Sequence, residues 1–152
     1  MEIINDFTIR VATVNGSGSQ SANNILLKAL FYMGLPVAGK NIFPSNIAGL
    51  PTWYNIRVSK EGYIGNQTHA QVLVLMNPET FEEDLKEAKP GAAVIYQDKL
   101  GEGKTLRDDL IYYPCPFQKL VNECCEAAKL RKMVINMIYV GVAAQLLNIE
   151  EA

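Results

Sequence analysis

The chain has 152 residues, of which 49% are hydrophobic and 20% charged, the balance of one soluble globular domain with a real core. A net charge of −2 without a basic tract argues against nucleic-acid binding and against an electrostatic membrane anchor. The thiols of Cys115, Cys124 and Cys125, with a single histidine, His69, cannot by themselves assemble a zinc or iron–sulfur site, so no metal site is expected.

Residues 7–14 alternate Phe7, Ile9 and Val11 with Thr8, Arg10 and Ala12, predicting a strand with one apolar face. A glycine-bearing loop follows, and residues 21–33 then place Ala22, Ile25, Leu26, Ala29, Leu30 and Met33 at helical spacing. Leu27 and Phe31 add a second apolar pair, so this helix is expected to be covered on more than one side. Residues 36–40 read as a short second strand, 41–51 as a loop and 53–59 as a third strand. Residues 63–67 read as its hairpin partner across a turn at 60–62. The apolar run 71–76 predicts a strand covered on both faces. Asn77-Pro78-Glu79 predicts a helix start, with Asn77 as cap and Phe81, Leu85 and Ala88 facing inward.

Residues 92–96 predict a further buried strand, 98–109 a polar loop and 110–113 a short strand running into Pro114-Cys115-Pro116. Phe117, Leu120, Val121, Cys124 and Ala128 mark an amphipathic helix. Residues 133–147 form a last helix that is apolar almost all round. Its length, with Asn136, Gly141 and Gln145 inside it, is short for a bilayer span, and the N-terminus has no signal-peptide pattern, so a cytoplasmic protein is expected. The alternation predicts an α/β class: a three-layer, Rossmann-like domain with a largely parallel sheet and one inserted β-hairpin.

Two segments carry the chemistry. Gly16, Ser17, Gly18, Ser19 and Gln20 join the first strand to the first helix. Helix N-termini expose unpaired N–H groups and partial positive charge, and such glycines let a ligand approach the backbone. That combination suits a phosphate or another oxygen-rich group. The second segment, 39–54, is rich in amides and hydroxyls. Lys40 offers a cation, and Asn41, Ser45 and Asn46 offer hydrogen bonds. If the first two strands run in parallel, both segments meet at the carboxyl edge of the sheet. No Ser-His-Asp arrangement and no catalytic residue stands out.

The glycine loop, Asn23-Asn24-Ile25-Leu26 and the segment 40–54 together resemble the γ-type domain of 2-oxoacid:ferredoxin (acceptor) oxidoreductases. The likeness extends over about residues 7–149, nearest to the form in which this domain begins an α subunit. Gly16, Gly18 and Gln20 match the family's G-x-G-G-Q-G loop, while Ser19 and Ser21 replace two of its glycines.

The resemblance implies an enzyme that converts a 2-oxoacid and coenzyme A to acyl-CoA and CO₂, passing electrons to ferredoxin. Thiamine diphosphate with its magnesium, and the iron–sulfur clusters, would sit on partner α and β domains. This domain would pack against the thiamine-binding domains and shape the coenzyme A side, with residues 16–20, 40, 41, 45 and 46 as contacts. Residues 1–152 are then one γ-type domain, compatible with a piece of a longer α subunit, and a homodimer of the isolated chain is open. Two other readings stand beside it. An independent NADP-type dinucleotide-binding oxidoreductase is one, although no Asp or Glu lies between Asp6 and Glu61 to hold a ribose. A non-catalytic interaction module is the other.

Overall fold

The computed structural model describes residues 5–44, 46–65 and 67–149. Six strands form one mixed sheet in the order β2-β3-β1-β4-β5-β6. They are β1 (Asp6–Val14), β2 (Val37–Ile42), β3 (Pro51–Ser59), β4 (Val72–Leu75), β5 (Ala93–Gln97) and β6 (Ile111–Cys115). β1, β4, β5 and β6 pair in parallel. β3 is antiparallel to both β1 and β2, so β2 runs in the same direction as β1. The inserted hairpin is therefore β2–β3. The pairing expected for residues 63–67 does not form: residues 63–65 and 67 are irregular, and position 66 lies outside the described residues. β2 has the right length to complete β3, and it continues through Asn41 and Ile42 into what the sequence reads as loop.

Helices cover both faces, which makes three layers. On one face α1 (Ser19–Tyr32), α3 (Phe117–Cys124) and α4 (Arg131–Leu146) pack on Ile9, Val11, Ile56, Val74 and Ile95. On the other, α2 (Phe81–Glu87) packs Phe81 and Leu85 against Leu73, Leu75 and Val94. All four residues of β4 are buried, as their unbroken apolar run predicts.

Two local expectations are corrected. Asn77 does not cap α2, which begins only at Phe81. The Asn77 side chain is fully buried, accepts from Glu79 N–H at 3.0 Å and donates to Thr13 O at 3.3 Å, tying the end of β4 to the end of β1. In α3 only Phe117 and Val121 are buried; Leu120 and Cys124 are exposed and Ala128 lies beyond the helix end. Among the described residues no helix is long and apolar enough to cross a membrane.

Candidate functional site

The glycine loop takes its shape from two left-handed residues, Gly16 at φ +82° and Gly18 at φ +79°, a conformation costly for other residue types. Gly18 occupies the N-cap of α1 and brings no side-chain cap. The first N–H groups of the helix have no intrahelical acceptor, so they remain available at this end. The loop is held from above by Asn15. Its N–H donates to Leu50 O at 2.8 Å, its carbonyl accepts from Gly49 N–H at 2.8 Å, and its Nδ2 donates to Ile47 O at 3.2 Å.

The start of α1 is fixed from within by two tyrosines. The Tyr139 hydroxyl donates to Asn23 Oδ1 at 2.9 Å, with Ser19 O at 3.4 Å. The Tyr54 hydroxyl donates to Asn24 Oδ1 at 3.0 Å. Burial pushes both phenols above their ordinary pKa, so both stay protonated donors at neutral pH. Thr13 Oγ1 and Ser19 Oγ share a buried hydrogen bond at 2.8 Å, closing the strand end onto the helix.

A cavity of about 220 Å³ opens beside this helix terminus. Gly16, Gly18, Ser19, Gln20 and Asn41 line it, so the glycine loop and the second segment meet at the carboxyl ends of β1 and β2. Asn41 accepts from Thr52 Oγ1 at 3.3 Å through its Oδ1, leaving its amide N–H₂ with no partner among the described residues. The exposed Gln20 amide makes no hydrogen bond among them either.

The other sequence-predicted residues fall elsewhere. Lys40 pairs with Asn55 and Asn41 with Tyr54, so neighbouring positions of β2 belong to opposite faces, and exposed Lys40 does not line the cavity. Ser17 lies on the far side of the glycine loop, and Asn46 is exposed outside the cavity. Ser45 lies outside the described residues.

Thr13, Asn15, Asn23, Thr52, Trp53 and Tyr54 also line it without having been singled out as contacts. Strand alternation carries the signal for three of these six, because Thr13, Thr52 and Tyr54 belong on one face with Asn41 through the β1–β3–β2 register. Finding them requires knowing that β3 lies between β1 and β2. Among the described residues the lining offers amides, hydroxyls, an indole and backbone N–H groups, with no cysteine, histidine or carboxylate. Such groups can donate hydrogen bonds to a polar ligand and orient it.

The sequence pattern of the Pyruvate ferredoxin/flavodoxin oxidoreductase family matches residues 8–152. A 91-residue stretch, 60% of the chain, is 23% identical to the 2-oxoacid:ferredoxin oxidoreductase 2 subunit alpha of Aeropyrum pernix and corresponds to 14% of that protein. The fold superposes with a TM-score of 0.82 and 30% identity on the 2-oxoglutarate:ferredoxin oxidoreductase of Magnetococcus marinus, solved with 2-oxoglutarate, coenzyme A and succinyl-CoA bound. That match covers 98% of this chain and 26% of the other. The keto/oxoacid ferredoxin oxidoreductase gamma subunit of Geobacter sulfurreducens shares the fold with a TM-score of 0.75 at 15% identity, over 95% of this chain and 79% of its own. The chain thus spans about a seventh of the curated relative and about a quarter of the Magnetococcus chain.

Proposed function

Because the chain belongs to the Pyruvate ferredoxin/flavodoxin oxidoreductase family, we propose that it is the γ-type domain of a thiamine-diphosphate-dependent 2-oxoacid:ferredoxin oxidoreductase. Its part is to shape the coenzyme A side of the active site and to hold subunits together. Residues 1–152 form one such domain, and a longer α subunit is the context that the Aeropyrum and Magnetococcus relatives suggest. Thiamine diphosphate, magnesium and the iron–sulfur clusters belong to partner domains, and ferredoxin is met through the complex.

One observation carries this reading. The open N-terminus of α1 and the Asn41 amide N–H₂, without a partner among the described residues, converge on one cavity. Coenzyme A carries phosphates and amides, and such donors match both. Gly16, Gly18, Ser19, Gln20 and Asn41 would touch it directly. Lys40, exposed one residue from Asn41, and Asn46 would meet its outer, charged part, with Ser17 at the flank; Ser45, outside the described residues, is proposed as a contact from the sequence alone. The apolar surface at Phe31, Tyr32 and Met33 of α1 and its C-cap, and at Met133 and Met137 of α4, would serve assembly.

The test is steady-state kinetics of the assembled enzyme. Asn41→Ala and Gln20→Ala should raise the KM for coenzyme A several-fold while leaving kcat and the KM for the oxoacid unchanged. An unchanged coenzyme A KM in both variants would favour the interaction-module reading. Saturable micromolar binding of NADPH to the chain would favour the dinucleotide reading.

A further inference from the structure

The Asn41 side chain is held by a hydroxyl that faces two oxygens. Thr52 is 9% exposed and stands on β3 opposite Thr13 of β1, one residue before the Trp53–Ile42 pair that ends β2. Its Oγ1 lies 3.3 Å from Asn41 Oδ1 and 3.3 Å from Ile42 O. A hydroxyl carries one proton and two acceptor lone pairs, so it donates fully to only one of these oxygens at a time. Two arrangements of the same side chains follow. In the first, Thr52 donates to Asn41 Oδ1, and the Asn41 N–H₂ is left for the cavity. In the second, Thr52 donates to Ile42 O, the Asn41 amide is turned over and its Nδ2 donates to Thr52 Oγ1. Asn41 Oδ1 is then left for the cavity. Without the Thr52 hydroxyl neither end of the amide is selected.

The surroundings of Asn41 give this selection a use. Among the described residues no lysine or arginine lines the cavity, and exposed Lys40 belongs to the opposite face of β2. β3 separates β2 from β1. Asn41 therefore stands two strand spacings, about 10 Å, from the end of β1, where the α1 terminus begins. An oxygen-rich, charged group held by that terminus leaves Asn41 to read another, uncharged part of the same ligand. A secondary amide presents a C=O acceptor and an N–H donor side by side. An asparagine that turns over on a threonine hydroxyl meets either of them, whereas a phosphate offers acceptors only.

We infer that Thr52 is a positioning residue whose hydroxyl sets which end of the Asn41 amide faces the cavity, and that the ligand group met there is a neutral amide. The identity of the ligand rests on the coenzyme A reading, whose cosubstrate carries amides between its phosphates and its thiol. The coupling of Thr52 to Asn41 does not rest on it.

The experiment joins kinetics of the assembled enzyme to side-chain amide spectra of the full chain. Thr52→Val keeps the shape and removes the hydroxyl; Thr52→Ser keeps the hydroxyl. Thr52→Val should raise the coenzyme A KM by about 2–10-fold, at unchanged kcat and oxoacid KM. Thr52→Ser should restore it to within about two-fold of the wild type, and in an Asn41→Ala background Thr52→Val should add less than about two-fold. In the spectra, the Asn41 N–H₂ pair, assigned by its loss in Asn41→Ala, should move in Thr52→Val and hold its place in Thr52→Ser. Pantetheine should shift that pair saturably, and inorganic pyrophosphate should not. An Asn41 pair unmoved by Thr52→Val, or full additivity of the two KM effects, overturns the positioning role. A pair that pantetheine leaves in place, or that pyrophosphate moves as far, overturns the amide assignment. An unchanged coenzyme A KM in Asn41→Ala, with the pair still moved by Thr52→Val, removes the coenzyme A reading and upholds the coupling, so the two fail separately.

Discussion

The Tyr139 hydroxyl and the Asn23 amide oxygen meet at 2.9 Å across 116 residues of sequence, joining the last helix to the first beneath the glycine loop. Tyr139 is fully buried and Asn23 is 2% exposed, so neither group can turn to water if the other is removed. Tyr139→Phe should therefore cost about 1–3 kcal/mol, the usual penalty for stranding a buried polar partner. Urea denaturation should show a lower midpoint at unchanged slope. In a double-mutant cycle with Asn23→Ala, the two losses should sum to more than the loss in the double variant.

Gly39 is required by a neighbouring side chain. A Cβ there would run into the Tyr54 hydroxyl and lie 3.0 Å from Leu27 Cδ2. Gly39→Ala should destabilise by about 1–3 kcal/mol, the cost of overpacking. Tyr54→Phe removes the obstructing oxygen at the expense of its bond to Asn24, so Gly39→Ala should cost less in the Tyr54→Phe background than in the wild type. If Gly39→Ala lowers the melting temperature equally in both backgrounds, the Tyr54 hydroxyl is not what makes Gly39 necessary.

The sole tryptophan reports on a buried carboxylate. Trp53 Nε1 donates to Asp84 Oδ1 at 2.8 Å, and burial raises the Asp84 pKa despite hydrogen bonds that oppose the shift. The native state thus holds this proton at pH values where the unfolded chain has released it. Stability therefore falls as pH rises from the ordinary aspartate range through the raised native value. Trp53 emission should titrate with a midpoint above that ordinary range. Asp84→Asn should abolish the titration and flatten the matching decline in stability.

The two residues of β2 named by the sequence should separate in kinetics. Asn41→Ala removes a hydrogen bond inside the cavity and should raise the coenzyme A KM by about 2–10-fold, equivalent to about 0.5–1.5 kcal/mol. Lys40→Ala, on the opposite face, should have a smaller effect that shrinks with added salt. An equal, salt-insensitive effect for Lys40 would mean that its side chain crosses the strand edge to the ligand.

The glycine loop and α1 were legible because their signals are local: two glycines between an alternating run and a helical one. The β4 run was legible because burial on both faces leaves an unbroken apolar word. The hairpin was not, since residues 63–67 alternate as plausibly as 37–42, and only the pairing of Val37, Gly39 and Asn41 with Val58, Ile56 and Tyr54 of β3 selects the latter. Asn77 has the identity of a cap, but the open end of β1 competes for the same side chain and wins it. At the site, Lys40 and Asn41 are adjacent in sequence, yet the period of two in a strand divides them. The Asn23–Tyr139 contact has no local signature at all.

The glycine loop also has a place in the order of assembly. The β2–β3 hairpin closes across residues 43–50 and needs little chain entropy to form, whereas β1 must join it across the whole of α1. The loop, already tied to residues 47–50 through Asn15, gains its last anchors when Asn136 and Tyr139 arrive from the opposite end of the sequence. The cavity wall itself comes from β1, the glycine loop, α1, β2 and β3, with no residue of α4. A nascent chain that has made every strand but not yet docked α4 therefore has the lining in place without the Asn136 and Tyr139 bonds that brace it from beneath.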